Sequence, residues 1–270
     1  MDYAFTKSWL INPIEYLESG YFLESSPDDS IIMQTKPDRI GARLPGGKPK
    51  IVGVVGSRAD WEFVSRAGFS DLDLCELRVD LLAAEGVEER EYLKPLPISK
   101  ILTIRDPREG GREGLNEQER LHLFRKLLPA VDYIDIELRN FDPYSPVIAA
   151  VRSSAKQLIV SVHDFEGTPS EEQMERWAHE IEARYPGAIF KIAAQLTQWE
   201  EMVRLGTFLV NHSRMKVAAM GMGPLGKISR LLFARFGSEL LYAACGEALV
   251  PGQWDLRTLR SILPEIVEGI

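Results

Sequence analysis

Cysteine is scarce: Cys75 and Cys245 are the only two in 270 residues. They form no CxxC pair and no metal spacing, which excludes a disulfide scaffold and fits a reducing compartment. No cluster of His, Asp and Glu has zinc-like spacing either, so no metal is expected. No apolar stretch approaches the ~18 residues of a membrane span. The chain starts Met1-Asp2-Tyr3-Ala4-Phe5. A basic stretch followed by an apolar run is missing there, which argues against a secretory signal and for a cytoplasmic protein. Positive charge is also in deficit, with 32 Lys and Arg against 40 Asp and Glu and a net charge of −8. Nucleic acid and acidic membrane surfaces both need a positive field and are excluded as main partners.

What is abundant is apolar residues, at 45%, ordinary for a globular chain. The first 50 residues stand apart. They hold Pro13, Pro27, Pro37, Pro45 and Pro49 and the turn-rich run Leu44-Pro45-Gly46-Gly47-Lys48-Pro49, an extension ending in a linker. From Ile51 onward short β-branched runs alternate with segments of helical period. The strand candidates are 51–55, 73–79, 100–104, 131–138, 157–162, 188–193, 215–220 and 239–244. The helix candidates are 59–67, 88–93, 116–128, 144–154, 170–184, 198–212, 225–236 and 255–267. Strands alternating with helices imply a parallel sheet. Eight such units predict an α/β fold, a (β/α)8 TIM barrel over 51–270 with an N-terminal extension over 1–50.

In such a barrel the chemistry sits at the C-terminal ends of the strands. Those ends are polar here. The second strand reads Glu76-Leu77-Arg78-Val79-Asp80, which places Glu76, Arg78 and Asp80 on one face. The third ends Thr103-Ile104-Arg105, with Glu109-Gly110-Gly111 after it. Asp135 and Glu137 lie two apart in the fourth, His163 and Asp164 end the fifth, and Lys191 lies inside Phe190-Lys191-Ile192-Ala193. Met220 and Met222 bracket the end of the seventh, and Pro251-Gly252-Gln253 follows the eighth. A Glu-x-Arg pair alone is commonly a structural ion pair. Lys191 is a sharper signal. Burying an unpaired ammonium costs several kcal/mol, roughly, unless it gives up its proton. A neutral lysine amine is a nucleophile toward carbonyls. His122, His179 and His212 fall in helix candidates and read as surface or interhelical residues.

Gly221-Met222-Gly223-Pro224-Leu225-Gly226 matches G-x-G-x-x-G. A dinucleotide site needs an acid at the end of the next strand, and Glu239 lies at its start. A phosphate loop needs Ser or Thr after Lys227, where Ile228 stands. The segment reads as a tight glycine turn.

Taken in order from about residue 51 to the C-terminus, these motifs resemble type I 3-dehydroquinate dehydratase. The match also includes Ser161-Val162-His163-Asp164-Phe165 with Thr168-Pro169, Ser229-Arg230 and Phe236-Gly237-Ser238. The resemblance implies a cofactor-free dehydration of 3-dehydroquinate to 3-dehydroshikimate by a homodimeric enzyme. It implies that Lys191 forms an imine with the ketone, that His163 moves protons and that Glu109 orients the histidine. It assigns Arg230 to the substrate carboxylate, Glu76, Arg78, Arg105 and Gln253 to hydroxyls or to one another, and Met220 and Met222 to apolar walls. Arg78, Arg105 and Arg230, converging near Lys191, would attract the anion and favour the neutral amine. Leu249 departs from the family, many members of which carry serine four residues before the glutamine equivalent to Gln253. Two other readings share these residues: an imine-forming aldolase-type barrel, and a relative that binds the ligand without turnover.

Overall fold

The computed structural model describes the backbone of residues 21–25 and 31–35, and residues 48–66 and 71–267. By contacts the chain divides into two units, Met1–Arg43 and Leu44–Ile270. In the first, β1 (Tyr21–Ser25) and β2 (Ile31–Thr35) form an antiparallel hairpin with Tyr21 opposite Thr35. Most of the expected 1–50 extension otherwise lies outside the described residues.

The second unit follows the expected alternation. Its strands are β3 (Lys50–Val55), β4 (Leu74–Arg78), β5 (Ser99–Thr103), β6 (Tyr133–Glu137), β7 (Gln157–Asp164), β8 (Ile189–Gln195), β9 (Val217–Met222) and β10 (Leu240–Ala244). A two-residue β11 (Trp254–Asp255) adds to β10. Every neighbouring pair is parallel, in the order β11-β10-β3-β4-β5-β6-β7-β8-β9. The sheet curls until β9 meets β10. At that seam the Glu239 N–H donates to the Val217 carbonyl at 2.8 Å, and Ser238 Oγ accepts the Ala219 N–H at 3.1 Å. A buried side chain thus takes over part of the ladder where the barrel closes.

The helices are α1 (Arg58–Arg66), α2 (Val79–Leu82), α3 (Glu89–Tyr92), α4 (Glu117–Leu127), α5 (Ser145–Arg152), α6 (Glu171–Arg184), α7 (Trp199–Asn211), α8 (Gly226–Arg235) and α9 (Leu256–Val267). Their starts are written in the sequence. Asn116 and Glu119 make a reciprocal capping box, and Ser170 Oγ accepts the Gln173 N–H at 3.2 Å. The sequence reading missed α2, because its first residue, Val79, continues the apolar strand run read as 73–79 and its N-cap, Arg78, makes no side-chain capping bond. It also misplaced Asp80. β4 stops at Arg78, so Asp80 is in the first turn of α2 and its carboxylate turns back to Arg78.

Alternation along the strands sorts the core into two layers. Leu77, Leu102, Ile136, Val160, Phe190 and Ala219 point outward to the helices. Val52, Leu74, Ile101, Ile159, Ile189 and Ala218 fill the barrel interior. The next inward positions toward the strand C-termini are Glu76, Thr103, Asp135, Ser161 and Lys191, and this polar tier rests on that apolar floor.

Candidate active site

The polar tier opens into a pocket at the C-terminal ends of the strands. Glu76, Arg78, Arg105, Glu109, His163, Lys191, Met220, Met222, Arg230 and Gln253 all line it. These are the ten residues singled out in the sequence. Val54, Gly110, Phe165, Ala193, Tyr242, Leu249 and Val250 complete the wall. His122 and His179 are exposed, while His212 stacks on Phe208 at 4.1 Å, all three outside the pocket lining.

Lys191 lies on β8, 3% exposed, with Nζ donating to Asp135 Oδ2 at 2.8 Å and to Glu76 Oε1 at 3.3 Å. The Tyr242 ring lies 4.3 Å from the same nitrogen. The expected crowding of Lys191 by arginines is therefore corrected: carboxylates surround it. The physical reason is that nearby acids take up the cations: Lys191 and Arg105 share Asp135, and Arg78 turns to Asp80. Arg105 pairs with Asp135 at 2.9 Å and Glu137 at 2.8 Å, and Arg78 pairs with Asp80 at 2.7 Å. Asp135 thus bridges Arg105 and Lys191 and also accepts the Ser161 hydroxyl at 2.6 Å. Burial opposes its charge, yet Arg105 and Lys191 hold its carboxyl far below the usual carboxylate range.

Glu109 ends the short 3₁₀ turn Pro107–Glu109 beyond β5, and His163 lies near the end of β7. Glu109 Oε2 lies 3.0 Å from both His163 Nδ1 and the His163 backbone N–H, and Oε1 accepts Arg139 Nε at 2.8 Å. Burial pushes the Glu109 carboxyl up to about 7, with Arg105 opposing. Burial pushes His163 well below its ordinary value, helped by the charges of Arg105 and Lys191. The imidazole is therefore neutral near pH 7, as a proton acceptor must be.

Arg230 on α8 is 1% exposed. Its guanidinium donates to two carbonyls, Gly252 at 3.0 Å and Tyr242 at 3.2 Å, and burial pushes its pKa down to about 10. Among the described residues its hydrogen-bond partners are carbonyls, so its charge has no acid of its own and suits an anion in the pocket. The glycine turn serves this placement. A Cβ on Gly226 would come within 2.7 Å of Gly252 Cα, and Gly252 itself has φ +91°. Only glycines let the loop after β10 lie on the start of α8, so the G-x-G-x-x-G match reflects close packing. In that loop Gln253 Oε1 accepts the Leu249 N–H at 2.9 Å.

Sequence reasoning left Asp135 out of the site, although a charged pair two apart inside an apolar strand was a signal. Tyr242 gave no signal, because Leu-Leu-Tyr-Ala-Ala reads as plain core. Its hydroxyl is buried without a hydrogen-bond partner among the described residues. Among the described residues no three His, Cys, Asp or Glu side chains group as metal ligands, and no helix is long and apolar enough to cross a membrane.

Residues 59–268 match the family model described as type I 3-dehydroquinase. The 3-dehydroquinate dehydratase of Aquifex aeolicus is 35% identical over 202 residues, covering 73% of this chain and 90% of that protein. That of Methanocella arvoryzae is 35% identical over 210 residues, covering 76% and 91%. Among solved structures, the 3-dehydroquinate dehydratase of Geobacillus kaustophilus superposes with a TM-score of 0.73 at 28% identity, covering 84% of this chain and 93% of that one. The solved Aquifex aeolicus structure has a TM-score of 0.66 at 32% identity, covering 80% and 97%. With the family model spanning most of its length and relatives of this similarity matched nearly end to end, the chain belongs to the type I 3-dehydroquinase family.

Proposed function

We propose that this protein is a hydro-lyase that dehydrates 3-dehydroquinate to 3-dehydroshikimate, a step of the shikimate pathway, through an imine on Lys191. The observation that carries this reading is one pocket holding a buried lysine, a neutral histidine on a carboxylate, and a buried arginine whose partners among the described residues are carbonyls. The barrel over 51–270 carries the reaction, and 1–50 is an extension to it.

The substrate is a small hydroxylated carboxylic acid with a ketone. Arg230 takes its carboxylate, and Glu76, Arg78, Arg105 and Gln253 take its hydroxyls or brace one another. Lys191 Nζ must shed a proton before it attacks. Arg105 and Lys191 hold Asp135 ionised, so it is a poor acceptor, and we assign the proton to His163, whose imidazole is neutral and backed by Glu109. The amine adds to the C3 carbonyl, and the resulting carbinolamine loses water to give a protonated imine. That imine draws electron density from C2, and His163 removes the C2 proton, leaving an enamine. The enamine pushes out the C1 hydroxyl, which takes a proton from His163 and leaves as water. A second water then hydrolyses the product imine and returns Lys191. Glu109 holds His163 in register and balances the imidazolium each time it forms. Met220 and Met222 keep the ring's apolar face dry.

The test is incubation with 3-dehydroquinate, following the conjugated enone by ultraviolet absorbance, with borohydride added in parallel. Turnover and a covalent adduct on Lys191 are expected, and Lys191→Ala loses both. Turnover surviving in Lys191→Ala would sink the imine. Binding without absorbance change would leave a non-catalytic relative, and activity on neutral ketoses instead would mark an aldolase. We also propose a cytoplasmic homodimer joined by outer helices near the end of the chain. Exposed Trp199 and Val203 on α7 and Ile228 on α8 offer apolar surface for it, and light scattering reads the mass.

A further inference from the structure

The Glu109–His163 pair has an outer partner that the motifs do not include. Arg139 lies in the 3₁₀ turn Leu138–Asn140 that follows β6, and its Nε donates to Glu109 Oε1 at 2.8 Å. The Glu109 side chain is 3% exposed and that of Arg139 44%. The guanidinium thus covers the side of the carboxylate away from the histidine, and it is not among the pocket lining. We propose that Arg139 is a positioning residue for proton transfer, holding Glu109 ionised and aimed at His163; this rests on the dehydration reading above.

The charged groups around the dyad come from several elements. Beyond β5, Arg105 favours the Glu109 anion, while Glu137 at the end of β6 disfavours it and Arg139 favours it. Around His163, Arg105, Lys191 and Arg78 disfavour the imidazolium and Asp135 favours it. Glu109 is already pushed up to about 7 by burial. Losing one of its two flanking cations therefore matters at physiological pH. A protonated Glu109 no longer carries the charge that steadies the imidazolium, and its Oε2 is a weaker acceptor for both His163 N–H groups. An opposite charge at contact lowers a carboxyl by roughly 1–3 units. Arg139 is partly in water, so the low end, about one unit, applies.

The test compares Arg139→Met and Arg139→Lys with the unaltered chain, after thermal melts show all three folded. The acid limb of kcat/KM against pH reports the free enzyme. It is expected to move up by about one unit in Arg139→Met, so activity falls about fivefold at pH 7 and hardly at pH 9. KM is expected to stay within about twofold, because Arg139 does not line the pocket. Arg139→Lys restores most of the shift. A second readout needs no turnover: the ¹³C-carboxyl titration of Glu109, assigned through Glu109→Gln, moves up in Arg139→Met. A profile merely scaled down at every pH, with an unmoved Glu109 titration, would overturn the proposal and leave a structural contact. If the unaltered chain fails to turn over 3-dehydroquinate, the dehydration reading fails, while the carboxyl titration still decides the Arg139 contact.

Discussion

Asp135→Asn perturbs the charge that the site depends on most. The carboxylate is completely buried and faces Arg105 at 2.9 Å, Lys191 at 2.8 Å and the Ser161 hydroxyl at 2.6 Å. The amide keeps the shape and removes the charge, leaving two buried cations to share Glu76 and Glu137. Removing one member of a buried ion pair costs roughly 3–5 kcal/mol. At about 2–4 °C per kcal/mol in a domain of this size, Tm at pH 7 is expected to fall by roughly 6–20 °C. The deficit has a pH signature. The folded Asp135 carboxyl lies below the ~3.9 of an unfolded aspartate, so its contribution is present above about pH 4 and is lost as pH falls further. The gap between the two melting curves therefore narrows below pH 4 and is flat from pH 5 to 8. The assay is calorimetric melting of both proteins across pH 3–8. A Tm at pH 7 equal to or above that of the unaltered chain would refute the argument, because it would mean that desolvation of the carboxylate already cancels its two ion pairs.

Arg230→Met removes the buried cation under the pocket, and kcat/KM for 3-dehydroquinate is expected to fall by roughly 100-fold or more, the loss expected for one desolvated charge contact. Steady-state kinetics read this, and a loss under fivefold would mean that the carboxylate binds elsewhere. Leu249→Ser tests the departure in the loop after β10. Leu249 lines the pocket and is 38% exposed, so Leu249→Ser gives up little burial and adds a hydroxyl beside the substrate; KM is expected to fall. An unchanged or higher KM would show that the loop holds the substrate in another way.

The motifs that named the site lie far apart in sequence: Glu76, Arg78 and Lys191 were legible because a polar residue interrupted an apolar strand, whereas Glu109, Arg230 and Gln253, on a turn, a helix and a loop, were legible only through the family's motif order. The boundaries of α4 and α6 were legible through Asn116 and Ser170, which are local chemistry. Other features are non-local. The pairing of Arg105 with Asp135 and Glu137 crosses 30 and 32 residues, and that of Lys191 with Asp135 crosses 56. The sequence supplied three arginines and a lysine at strand ends and suggested a cation cluster. Only the closed barrel shows which acid faces which base, because register and strand order decide it. The same holds for Arg139, whose partner lies on a neighbouring strand's extension, and for Tyr242, whose buried hydroxyl reads as core in one dimension. By itself the sequence determined the alternation of strand and helix and the family, because side-chain period and motif order are properties of one dimension. The tertiary structure alone decided the charge state of the site, because the field at a buried group is summed over neighbours that only folding brings together.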